Sequence, residues 1–206
     1  MTNPAALTIT NACAEQSEGP VMIEFLQQFA NDYTPDWRTS DAALDCLQAI
    51  LEKYKPKSIL ELGPGLSSFL FYRYAAKDLT ITYQVFDHKD TFAYEHASRV
   101  KKAGFDPGNI TILPLTESHD YDFGKNVIPT ADFIFVDGPP ASEARLRLVG
   151  IFSSPRFAQS IFLIDDTHRA CEAELTRLLT RPTHTPCLIR DLNFPPRTSI
   201  LLVPRN

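Results

Sequence analysis

The sequence predicts a doubly wound α/β domain, with a mostly parallel seven-stranded sheet and an antiparallel C-terminal strand. Five short apolar runs of strand length alternate with helix-period stretches along most of the chain. The stretches between these runs are long enough for crossover connections, which parallel strands require. The last two strand-like runs are separated by only a few residues, so we expect them to pair antiparallel.

Length and composition limit the class of protein. The 206 residues suit one domain, and 44% hydrophobic with 22% charged residues is ordinary for a globular chain. The formal net charge of −5 disfavours a broad nucleic-acid surface, and no apolar stretch reaches the roughly 18 residues of a membrane helix. The four cysteines form no CxxC pair, and the N-terminus lacks a secretory pattern. We therefore expect a cytoplasmic protein with reduced thiols and no structural zinc.

The first part of the chain precedes the sheet. Residues 1–19 have no sustained period, which predicts a flexible N-terminal arm. Apolar residues at helical spacing predict one helix over 21–29 and a second over 40–54, where Ser40 or Asp41 can cap the first turn. The single domain is expected over 20–206, with N-terminal helices at 20–56 and an α/β core at 57–206.

The α/β core follows in a regular order. The predicted parallel strands have β-branched content and cover Ser58–Gly63, Thr80–Asp87, Asn109–Leu115, Ala131–Asp137 and Ser160–Asp166. The predicted helices between and after them, which should cover both faces of the sheet, are Ser67–Ala76, Thr91–Ala103, Ser142–Ile151 and Arg169–Leu179. The closing antiparallel pair is Cys187–Leu192 and Thr198–Val203.

The first strand runs into a glycine turn and then a helix. Gly63 and Gly65 allow a sharp turn and a close approach of a ligand to the backbone, while Glu61 places a carboxylate at the strand end. Asp87 ends the second strand about 20 residues after Gly65, where a carboxylate can accept hydrogen bonds from both hydroxyls of a ribose. Taken singly, the glycines can be only a turn and Asp87 only a loop residue. Together they predict a ligand site at the ends of adjacent strands.

These residues carry a resemblance to a known family. The segment Glu61-Leu62-Gly63-Pro64-Gly65, then Asp87 and the closing strand pair resemble the class I S-adenosylmethionine-dependent methyltransferases, over roughly residues 37–204. The resemblance implies an enzyme with that Rossmann-like fold and that cofactor. It implies an adenine pocket after the third strand, near Leu115. The cofactor-binding residues that it implies are Glu61, Gly63, Pro64, Gly65, Ser67, Asp87, His88, Thr116 and Glu117.

Three carboxylates follow the fourth and fifth strands. Asp137 ends the fourth strand, and Asp165 and Asp166 end the fifth, so all three should meet at one edge of the sheet. We call Asp137, Asp165 and Asp166 the acid rim. Carboxylates this close repel one another unless they are neutralised, and a hard divalent cation is one neutraliser. In the alternative interpretation, Asp165 or Asp166 caps the following helix and Asp137 shapes the Gly-Pro turn.

The acid rim is similar to the catechol-type, cation-dependent branch of the family, which has an Asp after strand four and an Asp-Asn pair after strand five. The resemblance implies Mg²⁺ or another divalent cation at Asp137, Asp165 and Asp166, with Asp166 in place of the amide. The lysine base of that branch is missing, because Pro139, Pro140 and Ala141 follow Asp137. We expect His168 to replace it as general base, with Asp137 and Asp165 as further catalytic residues. A surface position is the alternative for His168.

The basic residues near the rim receive other interpretations. Arg145 and Arg147 are predicted to form a solvated helix face, and Arg169 is an alternative partner of the acids. His96, His119 and His184 have no supporting context.

The sequence thus predicts methyl transfer from S-adenosylmethionine to a small-molecule acceptor, at oxygen more than at nitrogen. A nicotinamide-dependent oxidoreductase is the first alternative, although Ser68 stands where a dinucleotide site prefers a third glycine. A non-catalytic S-adenosylmethionine-binding module is the second. The expected partner is a small molecule rather than nucleic acid or a membrane, and a homodimer is left open.

Overall fold

The structure is a computed structural model that describes residues 21–33, 39–117, 121–123, 128–139, 142–180, 187–194 and 197–204. The arm predicted at 1–19 lies outside the described residues, as do His119 and His184. Within the described ranges, no helix is long and apolar enough to span a membrane.

Strands and helices alternate as the sequence predicts. The strands are β1 (Ser58–Leu62), β2 (Thr82–Asp87), β3 (Ile110–Ile112), β4 (Phe133–Val136), β5 (Ile161–Ile164), β6 (Cys187–Phe194) and β7 (Arg197–Pro204). The helices are α1 (Val21–Ala30), α2 (Asp41–Tyr54), α3 (Leu66–Ala75), α4 (Asp90–Lys102), α5 (Ser142–Arg147), α6 (Val149–Phe152) and α7 (Ala170–Leu179), with a 3₁₀ turn at Pro155–Phe157.

One predicted helix differs from the structure. The stretch 142–151 forms two short helices, α5 and α6, with a turn at Leu148 between them. The apolar spacing continues across that turn, because Ala144, Leu148 and Phe152 are all buried. A break that preserves the spacing of buried residues leaves the period of the sequence unchanged, so the pattern could not reveal it.

The sheet has seven strands in the order β3-β2-β1-β4-β5-β7-β6. Strands β1 to β5 are parallel, whereas β7 runs antiparallel to both β5 and β6. The predicted fold class and the closing antiparallel pair are therefore confirmed. The strand order reverses between β1 and β4, and such switch points are where open α/β sheets bind ligands.

Helices cover both faces of the sheet, as predicted. One apolar cluster joins α1, α2 and α3 to the sheet and includes the fully buried rings of Phe69 and Phe71. The other joins α6 and α7 to the opposite face through Phe152 and Leu175. Ser40 caps α2, because its Oγ accepts a hydrogen bond from the Ala43 N–H at 3.2 Å. Because β1, β2, β4 and β5 are parallel, their carboxyl ends all lie along one edge of the sheet, between the two layers of helices.

Candidate functional site

The loops after β1 and β4 pack backbone against backbone at the switch point. Gly63 has φ +86°, and a Cβ built on it would lie 2.8 Å from the Gly138 nitrogen. A Cβ on Gly138 would lie 2.8 Å from the Gly63 Cα. Neither position has room for a side chain, so the protein itself requires glycine at both.

Gly65 differs from Gly63 in this respect. Its φ is −157°, and a Cβ built on it would meet only the Ser67 Oγ, at 3.8 Å, which is ordinary contact. The fold does not require glycine at Gly65, and the space above it is open to a ligand. Pro64, between the two glycines, is buried.

Glu61 lies fully buried beneath this loop. Its carboxylate accepts hydrogen bonds from Ser67 Oγ at 2.7 Å, from Ser68 Oγ at 2.6 Å and from the Tyr83 hydroxyl. Burial raises the pKa of Glu61 to about 7, against the lowering effect of these three donors. The carboxylate therefore ties the first turn of α3 to β1 and β2, and it has no solvent-exposed surface.

The same hydrogen bonds explain why position 68 is not glycine. The Ser68 Oγ donates to Glu61 and also accepts the Gly65 N–H, at 3.1 Å. A third glycine would leave the buried carboxylate with one donor fewer, which carries a desolvation cost. In a dinucleotide site, a third glycine lets the helix pack closely on the strand. Here the hydroxyls of Ser67 and Ser68 instead bind the Glu61 carboxylate.

Asp87 lies next to the glycine loop, as predicted from the strand ends. Gly63 donates its N–H to the carbonyl of Phe86 at 2.9 Å, which places the end of β2 directly beside the turn. The buried Asp87 carboxylate accepts the Lys89 N–H at 2.8 Å and lies 3.2 Å from Nδ1 of His88. The two signals identified in the sequence are thus neighbours in space.

The segment after β3 folds back towards the site. Leu115 forms an isolated antiparallel bridge with Tyr121, and Thr116 and Glu117 are exposed beside it. The buried Tyr121 ring stands edge-on to His88, with 6.5 Å between the ring centroids. Its hydroxyl has no hydrogen-bond partner among the described residues. The hydroxyl lies beside Gly138, since a Cβ built on that glycine would be only 2.7 Å from it.

Burial raises the pKa of the Tyr121 hydroxyl well above its ordinary value, so the group stays protonated and has a hydrogen to donate. Sequence reasoning missed this residue. An aromatic residue in a polar loop is the one signal that could have pointed to it.

The three carboxylates of the acid rim converge. One oxygen from each of Asp137, Asp165 and Asp166 lies within 4.8 Å of the others, which confirms the predicted meeting. Asp165 accepts a hydrogen bond from Ser199 Oγ at 2.6 Å. Asp166 has φ +59°, a conformation that Asp and Asn tolerate better than other side chains. Neither residue is the N-cap of α7, which is Arg169.

Arg145 is buried against two of the three rim carboxylates, so its predicted solvated position is wrong. Its side chain is only 3% exposed, with Nε donating to the Pro139 carbonyl and Nη2 to the Asp137 carbonyl, both at 2.7 Å. Nη1 lies 3.3 Å from Asp166 Oδ2, and Nη2 lies 3.5 Å from Asp137 Oδ1. Carbonyls and carboxylates from two loops draw the guanidinium inward, whereas Arg147 is exposed as predicted.

Arg169 pairs with the acids, as the alternative interpretation predicts. Its Nη2 lies 2.9 Å from Asp166 Oδ2, and its Nη1 lies 3.6 Å from Glu172 Oε1. Glu172 is fully buried, and neither of its carboxylate oxygens has a hydrogen-bond partner in the described part of the chain. Its charge is compensated by the guanidinium groups of Arg169 and Arg145, each 3.6 Å away.

No family model and no curated protein matches this chain. Solved structures do match it. The methyltransferase PaMTH1 of Podospora anserina, bound to S-adenosylhomocysteine, is 16% identical with a TM-score of 0.67, covering 100% of this chain and 97% of that one. A putative caffeoyl-CoA O-methyltransferase of Staphylococcus aureus is 17% identical with a TM-score of 0.60, covering 98% of this chain and 100% of that one.

The O-methyltransferase TomG of Streptomyces achromogenes, in complex with S-adenosylmethionine, is 15% identical with a TM-score of 0.61 and full coverage of both chains. The chain has the methyltransferase fold. At these identities the likeness concerns the fold, and the residues of the site carry the case for function.

Two histidines occupy different settings within this methyltransferase fold. His168 is exposed in the turn between β5 and α7. His96 is fully buried, with Nδ1 2.7 Å from the Tyr33 hydroxyl, and burial lowers its pKa to about 4. His96 is therefore a neutral core residue, in keeping with its lack of supporting context in the sequence.

Proposed function

We propose that this chain is an S-adenosylmethionine-dependent methyltransferase that acts on a small-molecule acceptor, at oxygen. The observation that carries the proposal is the open space over Gly65, beside Asp87, at the switch point of a sheet with methyltransferase topology. The fold has no need of glycine at this position, whereas a ligand lying against the backbone does. The bound ligands of PaMTH1 and TomG support the choice of cofactor.

The chain's residues fit such a cofactor in distinct ways. Asp87 offers a carboxylate to the ribose hydroxyls, and the turn Gly63-Pro64-Gly65 offers backbone to the methionine portion. His88, Thr116 and Glu117 are proposed for the adenosine end. Glu61 and Ser67 are proposed to act by holding the glycine turn in place. The Ser67 hydroxyl donates a hydrogen bond to the Glu61 carboxylate and so ties the start of α3 to β1.

S-adenosylmethionine supplies an activated methyl group on sulfur, so the protein mainly has to align the acceptor. Holding the reactants in line removes translational and rotational entropy from the barrier, an effect of up to about 7–11 kcal/mol. As the acceptor oxygen bonds to the methyl carbon, the carbon–sulfur bond breaks and the acceptor proton must leave. We propose His168 as the base that takes it.

The acid rim is the proposed acceptor side of the site. Asp137 is its most accessible member, with 14% of its side chain exposed. Asp165 is buried and held by Ser199, which suits a residue that orients its neighbours. The divalent cation predicted at Asp137, Asp165 and Asp166 is not part of this proposal, because two of those carboxylates already contact Arg145.

The net charge of −5 supports a small acceptor rather than nucleic acid. Cys171 is a free thiol, which supports the proposed cytoplasmic location. A homodimer stays an untested prediction.

Calorimetric titration with S-adenosylhomocysteine, NAD and NADP tests the cofactor. We expect S-adenosylhomocysteine to bind with a stoichiometry of one and neither dinucleotide to bind. Tight binding of a dinucleotide without S-adenosylhomocysteine would instead support the oxidoreductase alternative. Transfer of labelled methyl from S-adenosylmethionine to a panel of phenols and other hydroxyl compounds then separates an enzyme from a non-catalytic binding module.

A further inference from the structure

We propose that Arg145 is the resident cation of the acid rim, so that a guanidinium rather than a divalent metal neutralises these carboxylates. The proposal concerns cation binding at Asp137, Asp165 and Asp166. It deepens the proposed function, yet its test does not depend on methyl transfer.

The first step is the anchoring of the guanidinium. Arg145 donates to the carbonyls of Pro139 and Asp137 at 2.7 Å each, and these bonds fix the group independently of any carboxylate. Its planar fork of donors then points its remaining N–H groups at the rim and at Glu172. Only 3% of the side chain is exposed, so the guanidinium is held inside the protein rather than in solvent.

The second step is the charge balance. A buried guanidinium is stable only beside anions, and clustered carboxylates ionise together only beside cations. Asp137 Oδ1 and Asp166 Oδ2 lie 3.5 Å and 3.3 Å from Arg145, so each group meets the requirement of the other. Arg169 adds a second positive charge, with its Nη1 3.6 Å from Glu172 Oε1.

The third step is competition for the same oxygens. A divalent ion bound to Asp137 Oδ1 and Asp166 Oδ2 would sit about 2.0–2.6 Å from each. It would then lie within a few ångströms of the Arg145 guanidinium, and the two positive charges would repel each other at short range in a buried site. The rim as it is arranged does not fit both cations.

The departure from the catechol-type pattern supports the same conclusion. Asp166 stands where that pattern has an amide, which adds one negative charge to the rim. Asp166 Oδ2 is the oxygen that contacts both Arg145 and Arg169. The extra carboxylate is therefore matched by arginine in the same site.

Titration with Mn²⁺, followed by calorimetry and by the electron paramagnetic resonance signal of free Mn²⁺, tests the proposal. We expect no saturable binding to the wild-type chain at millimolar Mn²⁺, and a new site in Arg145→Ala with affinity higher by at least about tenfold, because a nearby positive charge has been removed. Asp137→Asn in the Arg145→Ala background should abolish that site. Arg147→Ala, an exposed arginine on the same helix, is the matched control and should behave as the wild type.

Stoichiometric Mn²⁺ binding by the wild type that is lost in Asp137→Asn would overturn the proposal. Failure of Arg145→Ala to gain a site would also overturn it, because the carboxylates would then not form a cation position at all. If Arg145→Ala does not fold, Arg145→Gln takes its place, since the amide can still donate to Pro139 without a charge. A chain that fails to bind S-adenosylhomocysteine but shows this metal response refutes the proposed function alone.

Discussion

Alanine substitutions at Gly63 and at Gly65 should have separate effects, the first on the stability of the fold and the second on the affinity for the cofactor. At Gly63 the φ of +86° costs an L-residue roughly 1–2 kcal/mol. The new Cβ would also lie 2.8 Å from Gly138 and 2.9 Å from the Asp137 carbonyl, and such overpacking costs about 1–3 kcal/mol. Gly63→Ala should therefore lose roughly 2–5 kcal/mol of unfolding free energy.

Gly65→Ala should behave in the opposite way. Its Cβ contacts only Ser67 Oγ at 3.8 Å, so the unfolding free energy should change by no more than about 0.5 kcal/mol. The same methyl group would project into the space proposed for the cofactor. We expect the affinity for S-adenosylhomocysteine to fall at least about tenfold, or roughly 1.4 kcal/mol.

Urea denaturation measures the first effect and calorimetric titration the second. Gly150→Ala is the control for both, because its Cβ meets nothing within 4 Å and it lies on α6, away from the glycine loop. A Gly65→Ala chain as unstable as Gly63→Ala would show that the fold requires this glycine. A stable Gly65→Ala chain with unchanged affinity would show that the cofactor does not lie over this turn.

Three further variants test the site. Asp87→Ala should weaken S-adenosylhomocysteine binding by about 1–3 kcal/mol in calorimetry, and unchanged affinity would remove the ribose contact. Burial raises the folded-state pKa of Glu61 from 4.5 to about 7, so the folded chain holds this proton to a higher pH than the unfolded chain does. The unfolding free energy therefore falls as pH rises from 4.5, and the loss is complete above pH 7. The unfolding free energy of the wild type relative to Glu61→Gln should thus fall by roughly 1.4 kcal/mol per unit between pH 5 and 7, and parallel curves would contradict it. His168→Gln should lower the rate of methyl transfer by about 10²–10⁴ without changing stability, whereas full activity would exclude it as base.

Most of the fold could be predicted because its signals are local. Each parallel strand is a short apolar run with a turn signal at its end, and each crossover has a helical period. The Gly63 turn and Asp87 were found by the same logic, since strand ends in a parallel sheet meet at one edge. The break at Leu148 and the exact strand ends were not found, because they depend on packing rather than on period.

Tyr121 and Arg145 show where local reasoning ends. Tyr121 reaches the site through its bridge to Leu115, in a loop whose path no period or motif specifies. Arg145 follows Glu143 and precedes Arg147, which is the charge pattern of a solvated helix face. Its burial depends on carbonyls six and eight residues earlier and on carboxylates beyond β5, all brought together by the fold.

A charge count at the strand ends would nevertheless have pointed to Arg145. Three acids at one edge of a sheet need nearby positive charge, and a metal is only one source of it. Arg145 lies eight residues after Asp137, and Arg169 lies three residues after Asp166, so both start from loops or helices that leave the same edge. A basic side chain on the element that directly follows such an acid is as plausible a neutraliser as a metal ion, and it should be considered before a metal is inferred. In this chain the contacts of Arg145 with Asp137 and Asp166 favour the arginine.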